Sequence, residues 1–522
     1  IYLSGSIHRK SNIDLHLAAG AVLLGAPQDM KAYDPPEPWQ GTAYQDAGHT
    51  FFHNSLIWGE NLTNVSITGP GMINGGGLTT NDGSLDRTDG FSPPFNRGAG
   101  PGPRGNAGGA RTGAAPRPGG RGNFNRFPAP GNKTIALKLC KQVLIRDVTL
   151  FHGGHFCILT TGCDMLTIDN VTIDTDRDGM DIDSCRNVMV SNCRVNSPRD
   201  DGICPKATFA LGENRATENM TITNCEVSGF QEGTLLDGTM KPMVGRNGEI
   251  TGTGRIKFGT ESNGGFRNIT ISNCTFRDCR GLALEEVDGG TLENITISNI
   301  SMMDVGGYPI YITTGQRNRG PNITGVSTLR NISISHVVAT GVSAESGIQI
   351  TGMPGHPIEN LRLDDIRIKY NGGGTAEQAE RVPPELNRGY PEPGRTGIMP
   401  AYGLFARHVK DLELANINFS FQTDDYRPAI AAMDVQGLQI DNLHAQLAPN
   451  VKAARLEGVT GLVIHDSPVL EADGAVTKSD TVRPADSVAP NFGPGFGVGG
   501  RGGRAGRGGR GGRGTGGPPQ QP

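Results

Sequence analysis

The sequence predicts an all-β chain folded as a right-handed parallel β-helix. Three observations carry that reading: a short phrase recurring along most of the length, apolar and polar residues alternating within each phrase, and 78 glycines in the whole chain. The phrase has the form Asn-Ile-Thr-Ile-Ser-Asn. It begins at Asn64, Asn219, Asn268, Asn294 and Asn331, with variants beginning at Asn360, Asp411, Gly437 and Gly461. Alternation with period two marks a strand with one buried face, and Gly, Asn and Asp between phrases supply the turns. The tightest intervals, Asn268 to Asn294 and Gly437 to Gly461, are about 25 residues, which accommodates three strands and three turns per coil. Strands so spaced bury their apolar residues only by stacking coil on coil, whereas a sandwich has no such larger repeat. No segment has the periodicity of a long amphipathic helix.

In chain order, residues 1–25 begin inside a strand without an initiator methionine. The N-terminus is therefore expected to be truncated, with any signal peptide outside the sequence. No apolar run approaches the roughly 18 residues of a membrane span. One solenoid domain is expected over residues 1–475, interrupted by a low-complexity insert at 91–131 and followed by a Gly/Arg-rich tail at 485–522. The insert holds six arginines and no acid, and residues 491–522 hold five arginines and no acid. Neither has enough apolar residues to form a core, so both are expected to be disordered.

These arginines conceal the charge of the body. Without them, 37 basic residues face 52 acidic ones, although the whole chain has a net charge of only -4. An Arg-Gly-Gly tail occurs in RNA binders, but here only Phe492 and Phe496 offer stacking surfaces and the body is acidic, so no nucleic-acid partner is expected. Deleting residues 491–522 is expected to leave the melting temperature nearly unchanged. A clear drop in a thermal melt would make the tail part of the folded body.

The nine cysteines lie between Cys140 and Cys279, and Cys225 and Cys274 share one place in the phrase. Small buried thiols stacking coil on coil account for this better than a disulfide framework. No Cys-X-X-Cys or clustered histidine appears, so no metal or cofactor is expected. The many Asn-X-Ser/Thr sequons mostly belong to the repeat phrase, which makes glycosylation the weaker reading.

Chemistry concentrates in Asp174-Thr-Asp-Arg-Asp-Gly-Met-Asp-Ile-Asp183 and Ser197-Pro-Arg-Asp-Asp-Gly-Ile-Cys-Pro-Lys206. Positions about one coil apart lie side by side in a solenoid, so Asp178 is expected beside Asp200 and Asp201. Three carboxylates on one face suit acid/base hydrolysis of a glycosidic bond. Asp and Gly also punctuate turns, the role expected of Asp174, Asp176 and Asp183. Convergence of three like charges costs stability, which favours a functional reading for Asp178, Asp200 and Asp201, with Asp181 in support.

Several passages taken in order resemble the polygalacturonase-like pectin hydrolases, glycoside hydrolase family 28. They are Ser11-Asn-Ile-Asp-Leu-His-Leu-Ala-Ala-Gly-Ala-Val-Leu-Leu-Gly25, Ile67-Thr-Gly-Pro-Gly-Met-Ile-Asn-Gly75, Asp178-Gly-Met-Asp-Ile-Asp-Ser184, and Asp200-Asp201 with Lys206. The resemblance spans roughly residues 1–475. It implies an inverting hydrolase in which Asp200 is the general acid and Asp178 and Asp201 hold and deprotonate the attacking water. Acid and base are then expected roughly 6.5–9.5 Å apart, with crowding keeping the acid protonated.

Departures from the family pattern bear on the substrate. Where the family carries Gly-His-Gly, this chain has Gly252-Thr-Gly-Arg-Ile-Lys-Phe-Gly-Thr-Glu-Ser262, without histidine. The family's Arg-Ile-Lys, which grips a galacturonate carboxylate, is replaced at its own place by Gly281-Leu-Ala-Leu-Glu-Glu-Val-Asp288. There Ala283 and Glu285 stand for the cations, and a glutamate cannot clamp a uronate. Arg255 and Lys257 lie one coil early, either reaching a neighbouring part of the cleft or forming a solvated strand face. His155, with His152, is a further candidate for the cleft.

A neutral sugar such as rhamnose on one side of the scissile bond tolerates Glu285, so a rhamnogalacturonan-type pectic substrate is favoured, with removal of a terminal sugar equally open. The long element from Lys369 to Pro400 interrupts the repeat and is placed to wall one end of the cleft. A polysaccharide lyase and a non-catalytic carbohydrate-binding β-helix remain alternatives. The expected setting is secreted or periplasmic, and the expected state a monomer.

Overall fold

A computed structural model describes residues 1–38, 47–80, 130–246, 248–321, 323–345, 347–392 and 395–486. Most of the predicted insert at 91–131 and of the tail lies outside these residues. The chain is a parallel β-helix with three strands per coil. One full coil runs Phe156–Thr161, Asp164–Asp169 and Thr172–Asp174 before Asp178–Asp183 begins the next.

One wall is built from Ser55–Glu60, Lys133–Lys138, Phe156–Thr161, Asp178–Asp183 and Ile203–Lys206, each parallel to the next. A bridge between Ile203 and Ile256 carries it on to Lys257–Phe258, Leu282–Glu286, Ile310–Thr314 and Ile348–Thr351. Inward positions stack in register: Ile135, Ile158, Met180 and Ile203 are neighbours on successive strands and all fully buried. Burying each such side chain contributes about 1.5–3 kcal/mol, which makes the repeated alternation the main support of the solenoid.

The other two walls fuse midway. Phe266–Arg277 pairs with both Thr217–Thr223 and Glu226–Ser228, and later coils continue as single long strands such as Thr291–Met303 and Thr328–Val342. Each long strand bends where a residue adopts the left-handed conformation, as at Asn273 (φ 54°) and Asn299 (φ 57°). Asparagine tolerates that region better than other residues with a β-carbon.

The asparagine opening each phrase is left-handed too, and its amide donates to the asparagine of the preceding coil. Asn268 donates to Asn219 at 3.2 Å, Asn294 to Asn268 at 3.2 Å, Asn331 to Asn294 at 3.1 Å and Asn360 to Asn331 at 2.9 Å. The repeat phrase is thus a ladder of bend residues, which is why sequons accumulate in it.

Coil spacing matches the sequence interval where nothing is inserted: Asn187 bonds a residue 23 positions back, and Asn294 one 26 back. Longer coils carry excursions, at about 230–255 and 374–399. The helices Ala376–Ala379 and Pro468–Glu471 have four residues each, and no helix among the described residues is long and apolar enough to cross a membrane. All nine cysteines are buried, with no disulfide among them. The body extends beyond the expected boundary at 475 and past the start of the expected tail at 485: Val476–Ser479 adds a strand, and the Asp486 carboxylate accepts a bond from the Val382 amide at 3.3 Å.

Candidate active site

The expected convergence of carboxylates is present. Asp178 opens Asp178–Asp183, and the turn holding Asp200 and Asp201 lies beside it because the Gly179 amide donates to the Asp201 carbonyl at 3.0 Å and the Met180 amide to that of Gly202 at 2.9 Å. The approach requires glycine at 179, since a β-carbon there would meet the Gly202 carbonyl oxygen at 2.4 Å. Ser197 Oγ ties the two turns together, 2.6 Å from the Arg177 carbonyl and 3.0 Å from that of Asp200. Asp178, Asp200 and Asp201 each offer a carboxylate oxygen within 4.8 Å of the others. That is shorter than the separation expected for an inverting pair and closer to the roughly 5–5.5 Å of retaining enzymes. The spacing alone does not carry the stereochemical expectation.

The three carboxylates differ in environment. Asp178 is buried, and its carboxyl is held well above the usual range, chiefly by burial and then by the charge of Asp200. Burial would also raise Asp201, but Lys257 and Arg255 overcome it and keep Asp201 below the usual carboxylate range. Arg255 Nε donates to Asp201 at 2.8 Å, and Lys257 Nζ lies 3.2 Å from its other oxygen. Asp200 pairs with Arg177 at 2.7 Å and has a side chain 27% exposed. Burial and crowding thus favour the protonated form of Asp178, while the expectation that Asp200 is the acid rests on the family resemblance. The same oxygens are close enough to embrace a cation, but Arg255 and Lys257 already supply the counter-charge at Asp201.

The supporting residues deepen the wall of the site. Asp181 is fully buried, raised by burial with Lys206 opposing, and neither of its oxygens has a hydrogen-bond partner. Lys206 donates to Glu261 at 2.9 Å; burial would weaken its charge, but nearby acidic groups, Glu261 among them, hold it protonated. Asp174 and Asp183 play the structural parts expected of them: Asp174 accepts from Asn196 at 2.8 Å, and Asp183 from the Thr208 amide at 2.7 Å.

Two expectations need correction. Arg255 and Lys257 are not a solvated strand face; each is 3% exposed and bound to Asp201, in the coil directly after the aspartate pair. Glu285 does not face a sugar. It is fully buried behind those cations, 3.9 Å from Arg255 Nη2 and 3.7 Å from Lys257 Nζ, and burial raises its carboxyl. His155 is buried and edge-on to Phe156 at 4.5 Å between ring centres, one residue before the strand position that pairs with Asp178. Glu285→Lys would therefore pack a third cation against two others without water. An unfolding free energy lower by about 3–5 kcal/mol is expected in a urea titration. A stable variant with a new preference for uronates would restore Glu285 to the sugar position.

Residues the sequence did not single out complete the site. Arg177, next to Asp178 in the chain, pairs with Asp200. Arg280 lies in the coil after Arg255, and Tyr390 and Glu392 arrive from the insertion at 374–399. Glu392 binds Arg280 and lies 3.4 Å from Arg255 Nη2; Tyr390 places its hydroxyl 3.3 Å from Lys257 Nζ. No local motif marks these residues, because the contact spans over a hundred positions. Beside them, Gln316, Met353, Glu385, Asn387, Arg388 and Arg395 help line an open pocket of about 580 Å³, a size that takes small ligands.

Residues 254–387 match the sequence model of the glycosyl hydrolases family 28. No curated protein matches the chain. Among solved structures, a hyperthermoactive exopolygalacturonase from Thermotoga maritima is similar at 20% identity and a TM-score of 0.50, over 70% of this chain and 77% of that one. A family 28 exopolygalacturonase from Yersinia enterocolitica is similar at 15% identity and a TM-score of 0.53, over 88% and 71%. At these identities the structural likeness supports the fold.

Proposed function

We propose that this chain, a polygalacturonase-like protein of the glycosyl hydrolases family 28, hydrolyses glycosidic bonds of pectic polysaccharide or oligosaccharide. The observation that carries the reading is the meeting of Asp178, Asp200 and Asp201 at one point with unequal environments. Unequal carboxylates are what acid/base hydrolysis demands, since one group must give a proton while another takes one.

Asp200, with the most exposed side chain of the three, meets the glycosidic oxygen. Asp200 takes its proton from solvent between turnovers, once bound substrate loosens the pair with Arg177, and Asp178 stands within 4.8 Å of it. As the bond to the leaving sugar breaks, Asp200 protonates the departing oxygen. Water then adds to the anomeric carbon and gives its proton to Asp201, which its two cations keep ionised. Inversion of the anomeric carbon is the outcome that the family resemblance implies.

The insertion at 374–399 sets Tyr390 and Glu392 against Lys257 and Arg255 beside Asp201, and a wall there supports end-on binding and release of terminal units. A secreted setting fits a polymeric substrate. Incubation with a panel of pectic oligosaccharides, followed by product analysis and NMR of the anomeric configuration, tests the reading. Saturated products of inverted configuration are expected. Unsaturated uronides would point to a lyase, and binding without product to a carbohydrate-binding β-helix.

A further inference from the structure

We propose that Glu392 is a specificity-determining residue: it closes the sugar position beside Asp201 to a free carboxylate and leaves it to a neutral sugar. This rests on the hydrolase reading above and adds the charge of the sugar accepted there.

Three cations border that position, and each is already matched. Arg255 and Lys257 share Asp201 at 2.8 and 3.2 Å, with Glu285 behind them at 3.9 and 3.7 Å. Arg280 pairs with Glu392, which also lies 3.4 Å from Arg255. Three basic groups thus face Asp201, Glu285 and Glu392, one anion for each. Asp201 is needed for chemistry, and Glu285 is sealed in the wall. Glu392, 22% exposed, is the anion of this set open to solvent, and it contacts two of the three cations.

A uronate entering here would meet a carboxylate already in place. It would have to displace Glu392 from two arginines, or sit beside it as an unpaired like charge; the hydroxyls of a neutral sugar face neither cost. Glu392 is also firmly held. Its neighbour Tyr390 bonds Lys257, and the Tyr390 ring lies under the charges of Lys257, Arg317 and Arg395 at 5.5, 5.8 and 5.4 Å. Such cation–ring contacts fix a segment where a loose loop would let the carboxylate swing away.

The test compares wild type, Glu392→Gln and the double variant Glu392→Gln/Arg280→Gln. Each is assayed for kcat and KM on oligogalacturonides with free carboxyls, on their methyl esters, and on rhamnogalacturonan oligosaccharides. Wild type should favour the methyl esters or the rhamnose-containing probe over free acid. Glu392→Gln should shift the ratio of kcat/KM towards free acid by on the order of 10-fold or more, mainly through KM, because a charge-assisted bond to Arg280 becomes available. The double variant should lose that gain. An unchanged ratio in Glu392→Gln, a gain that survives loss of Arg280, or a wild type already preferring free acid overturns the proposal while hydrolysis itself stands. No product from any probe with wild type overturns the hydrolase reading, and this inference with it.

Discussion

Replacing Asp178, Asp200 or Asp201 by asparagine is expected to cut turnover by on the order of 10²–10⁴, the loss typical of a removed acid or base. Stability should move in opposite directions at two of them. Asp178 is raised in the fold, so its ionised form opposes folding once the pH exceeds the unfolded carboxyl value. Asparagine removes that cost, and Asp178→Asn should be more stable than wild type at neutral pH. The gain should vanish in acid, where the carboxyl is protonated in both states.

Asp201 has the reverse sign. Its folded value is depressed, so it contributes stability above the unfolded carboxyl value and loses it as the pH falls towards the folded one. Asp201→Asn leaves Arg255 and Lys257 buried with diminished compensation and should cost about 3–5 kcal/mol at neutral pH. Urea titrations at pH 7 and pH 3, paired with rate measurements, check all of this. Full turnover in Asp200→Asn would remove it from the mechanism, and a less stable Asp178→Asn would overturn the raised carboxyl at that position.

The parts legible in the sequence are those fixed by local repetition. Alternation within each phrase announced strands, and the interval between Asn268 and Asn294 announced the coil, because a solenoid residue contacts its counterpart one coil away. The same rule brought Asp178 to Asp200 and Asp201. Motif order announced the family likeness, although the family's sequence model matches only residues 254–387.

Legibility ended where contacts leave the repeat. Arg255 and Lys257 were visible as a motif one coil out of place, but their burial against Asp201 depends on what covers them. That cover is the insertion at 374–399, whose path no periodicity encodes. Glu285 was misread for the same reason: its place in the coil was right, but Arg255 and Lys257 lie in front of it. The depth of burial of Asp178 and the pairing of Asp200 with Arg177 are three-dimensional facts that no local pattern encodes.

Arg427→Met should lower the unfolding free energy by about 3–5 kcal/mol, the cost of leaving a buried charge without its partner. Arg427 is 1% exposed, and its guanidinium binds Asp425 through two bonds, at 2.9 and 2.7 Å. Its remaining donors reach the carbonyls of Ala344 at 2.6 Å, Glu345 at 3.4 Å and Met399 at 3.2 Å, while Asp425 accepts from the Gly374 amide at 3.0 Å. One ion pair thus fastens both ends of the insertion that presents Tyr390 and Glu392 to the groove. Methionine fills much of the volume but satisfies none of these acceptors and leaves Asp425 buried alone. The urea midpoint should fall, and limited proteolysis should cut within 374–399 faster than in wild type. A midpoint shift worth less than about 1 kcal/mol, within the range of ordinary surface substitutions, with unchanged proteolysis would mean the insertion is held by its other contacts. The expected result would tie the stability of this wall to the position of the carboxylate that faces the incoming sugar.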